Sequence, residues 1–223
     1  MANGVGLEAP EIPKSRAGSL HLLGGRLCLN FANTTSGRGG ARCLEHLLAY
    51  NNLVDWCQHA GMLSAAHASR LRRAAGRRPA DARRVLDQAK DLREAIYGVF
   101  TAAGCGRRIR PAPLEQLNRA IADAAAHRQI AQFPRGFDWR WRAAPDDLGS
   151  VLRPIALSAA ELMVNLDRRR LKQCAGQHCG WLFLDETRSR TRRWCDMRVC
   201  GSRAKIRRFR QRRRRRVGSL AKS

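Results

Sequence analysis

The chain has 223 residues, room for one domain with an appendage or for two modest domains, and its 44% hydrophobic content supports a packed core. Only 6% of residues are aromatic while alanine and leucine abound, which favours helix over sheet. The formal charge of +25 points to a polyanionic partner, and the absence of any run of ~18 apolar residues or of a signal-peptide pattern excludes a membrane span and predicts a cytoplasmic, nucleoid-associated protein with reduced thiols.

Residues 1–19 read as a disordered leader, polar and broken by Glu8, Pro10 and Glu11. Leu20–Thr34 is apolar but short, and its pattern fits helix and strand equally. A glycine-rich turn follows at Ser36–Gly40. Leu44, Leu47 and Leu48, then Leu53, Val54, Trp56 and Cys57, read as two short amphipathic helical turns broken near Asn51–Asn52. Gly61 is placed to end the second and Ser64 to cap a helix reaching about Ala75.

Pro79 opens a longer helix. Val85, Ala89, Leu92, Ile96, Val99 and Ala103 step by fours and threes, the spacing of one buried stripe, and Gly104 and Gly106 end it. Pro111 and Pro113 introduce another helix with Leu114, Leu117, Ile121 and Ala125 inward. Ile130, Phe133, Phe137, Trp139 and Trp141 around Pro134-Arg135-Gly136 predict a small β-hairpin. The helical stripe returns with Leu148, Leu152, Ile155, Ala159, Leu162 and Leu166, and Pro154 predicts a kink or two abutting helices. The boundary of this helical domain (20–168) falls where apolar periodicity gives way to charge, near Arg168–Lys172.

The remaining segment carries the chemistry. From Arg168 to Ser223 there are 20 Lys and Arg against three acids, +17, which leaves only +8 for the preceding 167 residues. Within it stand Cys174-x4-Cys179 and Cys195-x4-Cys200, two close pairs separated by 15 residues, each followed by glycine (Gly180, Gly201). Paired cysteines in a reducing compartment suit a tetrahedral four-thiolate Zn²⁺ site: each pair turns two sulfurs toward one metal at ~2.3 Å, and the insert folds the second pair over the first. Four thiolates leave no open position, so one structural zinc is expected, supplying ~10–16 kcal/mol to a unit too small to fold on its own core. His178 is an alternative ligand to Cys179 but breaks the symmetric spacing. Cys28, Cys43, Cys57 and Cys105 lack ligand spacing and read as core. Trp181, Phe183 and Trp194 are expected to pack around the cluster, with stacking on bases as the alternative.

Past Cys200, Ala204, Ile206 and Phe209 are expected to face the zinc unit, while Arg203, Arg207, Arg210 and Arg214 fall on one helical face. Together with Arg192, Arg193, Lys205 and Arg208 they form the expected nucleic-acid-binding set, suited to phosphates and to guanine edges. Arg212–Arg216 forms a low-complexity basic tail (212–223).

Leu171–Arg210, LKQCAGQHCGWLFLDETRSRTRRWCDMRVCGSRAKIRRFR, resembles the CGNR zinc finger. The resemblance rests on the first cysteine pair followed by Trp181, Phe183 and Asp185, the Arg192–Cys195 segment, Met197, and Cys200-Gly201-Ser202-Arg203-Ala204-Lys205, in which serine replaces the family's asparagine. The upstream part resembles the ABATE domain through Leu27–Thr34, Leu53–Leu63 with Trp56 and Gly61, and the helix through Leu162. The resemblance implies a stress-related transcription regulator of bacteria.

The expected fold is therefore mainly α: a helical N-terminal domain with a small hairpin, then a four-cysteine zinc finger (171–211) with a basic C-terminal helix. The expected function is a DNA-binding transcriptional regulator whose helical domain senses an effector or forms a homodimer. The alternative is an RNA- or ribosome-associated protein using the same finger. An enzyme is not expected, because His21, His46, His59, His67 and His127 form no ligand pattern and no nucleophile or phosphate-loop motif is present. Asn30 and Asn33 are the polar residues singled out for an effector pocket, with local turn hydrogen bonding as the competing role.

Overall fold

The computed structural model describes residues 15–40 and 43–220, with side chains as far as Gln211. The ambiguous apolar segment resolves as a six-residue helix, α1 (Leu27–Ala32), in which Cys28, Leu29, Phe31 and Ala32 are all buried. A two-residue antiparallel ladder joins β1 (Thr35–Ser36) to β2 (Leu44–Glu45). Leu44 thus belongs to a strand, not to the helical turn expected there. The next helix, α2 (Tyr50–His59), runs unbroken through Asn51–Asn52. Asn52 does not break it because its Oδ1 accepts the N–H groups of Leu48 and Ala49, which makes it a capping residue of the first turn. Of the expected leader, residues 1–14 lie outside the described residues; Ala17–Ser19 form a 3-10 turn against α2, with Ala17 buried.

Gly61 follows α2 with a φ of 75°, the left-handed turn its position calls for. Ser64 accepts the N–H of His67 and caps α3 (Ala65–Arg77). Pro79 opens α4 (Pro79–Gly104), and the whole stripe from Val85 to Ala103 is buried. In α5 (Pro111–Ala126) the inward face is rotated from the expected one. Leu117 and Ala124 are buried, while Leu114 and Ala125 are exposed, because the helix meets α4 and α6 along a narrow line.

The hairpin forms as read, β3 (Arg128–Phe133) pairing with β4 (Gly136–Trp141) around Pro134-Arg135, and most of its apolar side chains project into solvent. A 3-10 turn, Leu148–Val151, abuts α6 (Leu152–Val164), with Pro154 in the first helical turn where its missing N–H costs nothing. Cys28 and Cys57 are core residues as expected, but Cys43 and Cys105 are exposed, Cys43 just before the short β2 and Cys105 in the turn that ends α4.

The core does not stop where the charge rises. β5 (Leu171–Gln173) and β6 (Leu182–Leu184) pair antiparallel, and their residues Leu171, Leu182 and Phe183 belong to the same apolar cluster as α1 and α4. The basic helix α7 (Ser202–Leu220) then leaves the zinc unit and runs on through Arg212–Arg216.

Candidate metal centre and nucleic-acid interface

The β5–β6 hairpin carries the first cysteine pair in its loop. Cys174 N donates to Trp181 O at 2.8 Å and Cys179 N to Gly176 O at 3.0 Å, which curls the loop so both sulfurs face inward. Gly180 turns the chain back into β6 at a φ of 71°. Of the second pair, Cys195 stands just before and Cys200 within a π-helical turn, Met197–Gly201, capped by Asp196, whose Oδ1 accepts the N–H groups of Arg198 and Val199. A Cβ at Gly201 would meet Met197 Sδ, so the exposed Met197 side chain lies over this glycine and would have to swing aside for any larger residue. Ser202, which replaces the family asparagine, turns its hydroxyl to Met197 O at 3.3 Å.

Two knots hold the pairs together. Ala175 N donates to Arg193 O at 2.9 Å. Asp185, fully buried at the end of β6, accepts Thr187 N and Thr187 Oγ1 through one oxygen and Arg192 N through the other, at 2.8 Å. The insert is thereby tied back so that the second pair lands on the first.

The Sγ atoms of Cys174, Cys179, Cys195 and Cys200 all lie within 4.8 Å of one another. Cys179 to Cys195 measures 3.6 Å and Cys195 to Cys200 3.7 Å. A tetrahedron of sulfurs ~2.3 Å from a central ion has edges of about 3.8 Å, so the spacing fits zinc. Cys174 Sγ also accepts the N–H groups of Gly176 and Cys195, which stabilises a thiolate. Sulfurs this close cannot all ionise unaided. Hydrogen bonds from the Cys179 and Cys195 thiols pull the Cys174 pKa down, while donating to the Cys174 thiolate holds the proton on Cys179 and Cys195 and pushes theirs up. A divalent cation removes that conflict. The four predicted cysteines are thus the zinc ligands, and His178 stands exposed beside them.

The aromatic residues pack rather than stack. Phe183 is fully buried and Trp181 nearly so, with its indole Nε1 donating to Thr35 O at 3.1 Å. Their neighbours are in the helical part as much as in the metal loop. Asn33, expected in a pocket, is buried with its amide bonded to both backbone groups of Leu182. Asn30 Oδ1 accepts Gly24 N at 2.7 Å, and Gly24 O in turn accepts Leu184 N. Both asparagines are therefore struts under β6. Sequence reasoning missed Arg93, whose buried guanidinium holds Glu45 through two bonds of 2.7 Å and Glu94 through one of 3.0 Å. The i, i+1 placement of Arg93 and Glu94 on a core helix gave no pattern by which to find it.

The expected nucleic-acid set divides. Arg192 is turned inward: its guanidinium donates to Trp194 O and Cys195 O and lies 4.5 Å over the Phe183 ring. Arg193, Arg203, Lys205, Arg208 and Arg210 are exposed, and Arg207 is half-buried with one nitrogen on Gln177 Oε1. The Arg214 side chain lies outside the described residues. Of the apolar residues expected to face the zinc unit from α7, Ala204 does; Ile206 and Phe209 are 51% and 66% exposed, because the helix projects away from the body.

Residues 25–165 match the family described as "Putative stress-induced transcription regulator", the ABATE family, and residues 170–213 match the CGNR zinc finger. No curated protein matches the chain.

Proposed function

Because the chain belongs to the ABATE family and carries a CGNR zinc finger on the same core, we propose that it is a DNA-binding transcription regulator that grips the duplex with α7. The observation that carries this reading is how densely cations without a carboxylate partner crowd the start of α7; the helical part has such arginines too, Arg70, Arg73 and Arg83 among them, but spread over several elements and mixed with paired ones. In the helical part, Arg38, Arg72, Arg78, Arg93 and Arg153 close ion pairs with carboxylates. On α7, Arg203, Lys205, Arg207, Arg208 and Arg210 have no carboxylate partner among the described residues. Cations held on a rigid helix without internal counter-charges attract a polyanion, and the counterions released on binding drive association.

Zinc supplies the rigidity. The π-helical turn that bears Cys200 leads directly into α7, so the metal fixes where the first turn of that helix starts. Arg203, Arg207 and Arg210 share one face, and exposed Ile206 flanks it, an apolar group of the kind that meets thymine methyls in a major groove. The helical part, with α4 at its centre, senses an effector. Selection from a random duplex pool, run beside structured RNA at physiological salt, tests the reading. Enrichment of related duplex sequences supports it. Preferential retention of structured RNA replaces it with an RNA-associated role, and retention of neither overturns it.

A further inference from the structure

Where the turn before α1 and the β1–β2 loop meet the zinc unit, there is a cavity of ≈ 610 Å³. That volume suits a small organic ligand. Its apolar walls include Leu20, Leu23, Trp181 and Ala204, and its cations are Arg16, Arg203 and Arg207. Leu23 is only half covered, so apolar surface faces the opening. Asp196 and the zinc-ligand cysteines Cys179, Cys195 and Cys200 line the cavity as well, so its grip on an anion rests on the guanidinium forks of Arg16, Arg203 and Arg207, none of which closes an ion pair with a carboxylate among the described residues. His46 faces the space too. Burial holds its pKa below the ordinary value, and its Nε2 lies 3.0 Å from Ser36 Oγ, so it adds a neutral hydrogen-bonding edge.

This lining is asymmetric. Two of the three guanidinium groups, Arg203 and Arg207, come from α7, and Leu20, Leu23 and Leu44 bring hydrocarbon from the helical part, with the metal loop between them. We infer that the cavity binds a small organic anion with an aromatic or branched aliphatic body, and that the bound anion draws Arg203 and Arg207 away from nucleic acid. A guanidinium fork clamped on a carboxylate or phosphate ester is not available to a backbone phosphate. Linkage then requires that ligand and duplex weaken each other by the same factor. The second half of the inference rests on the nucleic-acid reading of α7; the first half does not.

The test uses the zinc-loaded full chain and five probes. Benzoate and phenyl phosphate carry both head and body, acetate and inorganic phosphate the head alone, and benzyl alcohol the body alone. Calorimetry measures ligand binding, and fluorescence anisotropy of a labelled duplex measures nucleic-acid binding. Benzoate or phenyl phosphate should bind saturably and the other three at least about tenfold more weakly. His21→Glu, which brings a negative charge to the exposed rim, and Leu23→Trp, which fills the opening, should each weaken that binding by about fivefold or more. At saturation the ligand should lower duplex affinity by roughly tenfold, and in the two variants the ligand concentration that gives half of this effect should rise in step with their weakened binding. Equal binding of acetate and benzoate, or ligand binding indifferent to both variants, would overturn the site. Ligand binding that leaves duplex affinity unchanged would overturn the coupling. A chain that never binds duplex but still binds benzoate would retire the nucleic-acid reading and leave the site standing.

Discussion

Asn33 completes a strand pairing with its side chain: Nδ2 donates to the Leu182 carbonyl at 2.8 Å and Oδ1 accepts the Leu182 N–H at 2.9 Å. One amide thus does what a third strand would do for β6, and it does so from the end of α1. With Trp181 Nε1 on Thr35 O and Tyr97 OH on Gly180 O, it seats the zinc hairpin on the helical core.

Asn33→Ala should therefore destabilise the whole chain, not only the metal unit. It leaves a buried N–H and a buried C=O without partners, at a cost of about 2–4 kcal/mol together. Chemical denaturation checks this, with amide exchange at Leu182 as the local readout. A loss under about 0.5 kcal/mol would mean that water or a shifted neighbour replaces the amide.

Purified protein should hold one zinc per chain, and Cys174→Ser, Cys179→Ser, Cys195→Ser or Cys200→Ser should each release it. Because Leu171, Leu182 and Phe183 share the helical core, chelation should also lower the melting temperature followed by helical circular dichroism. Two separate transitions, with the helical one unmoved by chelator, would contradict the shared core. A Cys195→Ser variant that kept stoichiometric metal would contradict the ligand set.

How much of this was legible in the sequence depends on the range of the interaction. The cysteine spacing, the α4 stripe, the Ser64 cap and the β3–β4 hairpin are local patterns, and each shows in the structure at the residues that carry it. The rise in charge near Arg168 marks a change in composition, yet the packing continues past it into Leu171 and Phe183. Asn33 reads as a turn former because nothing local discloses a partner 149 residues away. Arg192 looks like one more basic residue of a basic segment; only the fold shows Phe183 and two carbonyls around its guanidinium. Ile206 and Phe209 have helical spacing relative to Ala204, but α7 leaves the body before they meet anything.

Acid should expose the Glu45–Arg93 pair. Burial by itself raises the Glu45 pKa, but the hydrogen bonds from Arg93 and Leu47 N and the Arg93 charge outweigh it, and the net shift is below the ordinary 4.5. A depressed folded pKa means the pair's contribution is fully present above about pH 4.5 and is lost as pH falls through the folded value. Glu45→Gln should flatten the stability profile in that acid window and lower stability at pH 7, where it leaves buried Arg93 with Glu94 alone. An unchanged acid limb would show that another carboxylate dominates it.

Arg212–Arg216 should act differently from Arg203 and Arg207. Truncation after Gln211 should weaken binding to all duplexes alike and make the salt dependence shallower, by about 0.9 for each phosphate no longer neutralised, with roughly two to four phosphates released in all. Arg203→Ala or Arg207→Ala should instead narrow the gap between preferred and random sequence, by ~1–3 kcal/mol where the arginine makes a bidentate hydrogen bond to a base. Disappearance of sequence preference on truncation, with both point variants unaffected, would reverse the roles.

The most direct test of α7 as the nucleic-acid-binding element is duplex affinity at physiological salt for the zinc-loaded chain, its Arg203→Ala/Arg207→Ala/Arg210→Ala variant and an Arg70→Ala/Arg73→Ala/Arg83→Ala control. Each triple variant removes the same charge, the first from the zinc-held helix and the second from α3 and α4. The α7 variant should bind at least about tenfold more weakly than the control, with a salt slope smaller by up to about 2.7. Equal affinities for the two variants would mean that net charge alone attracts the duplex and that α7 is not the binding element.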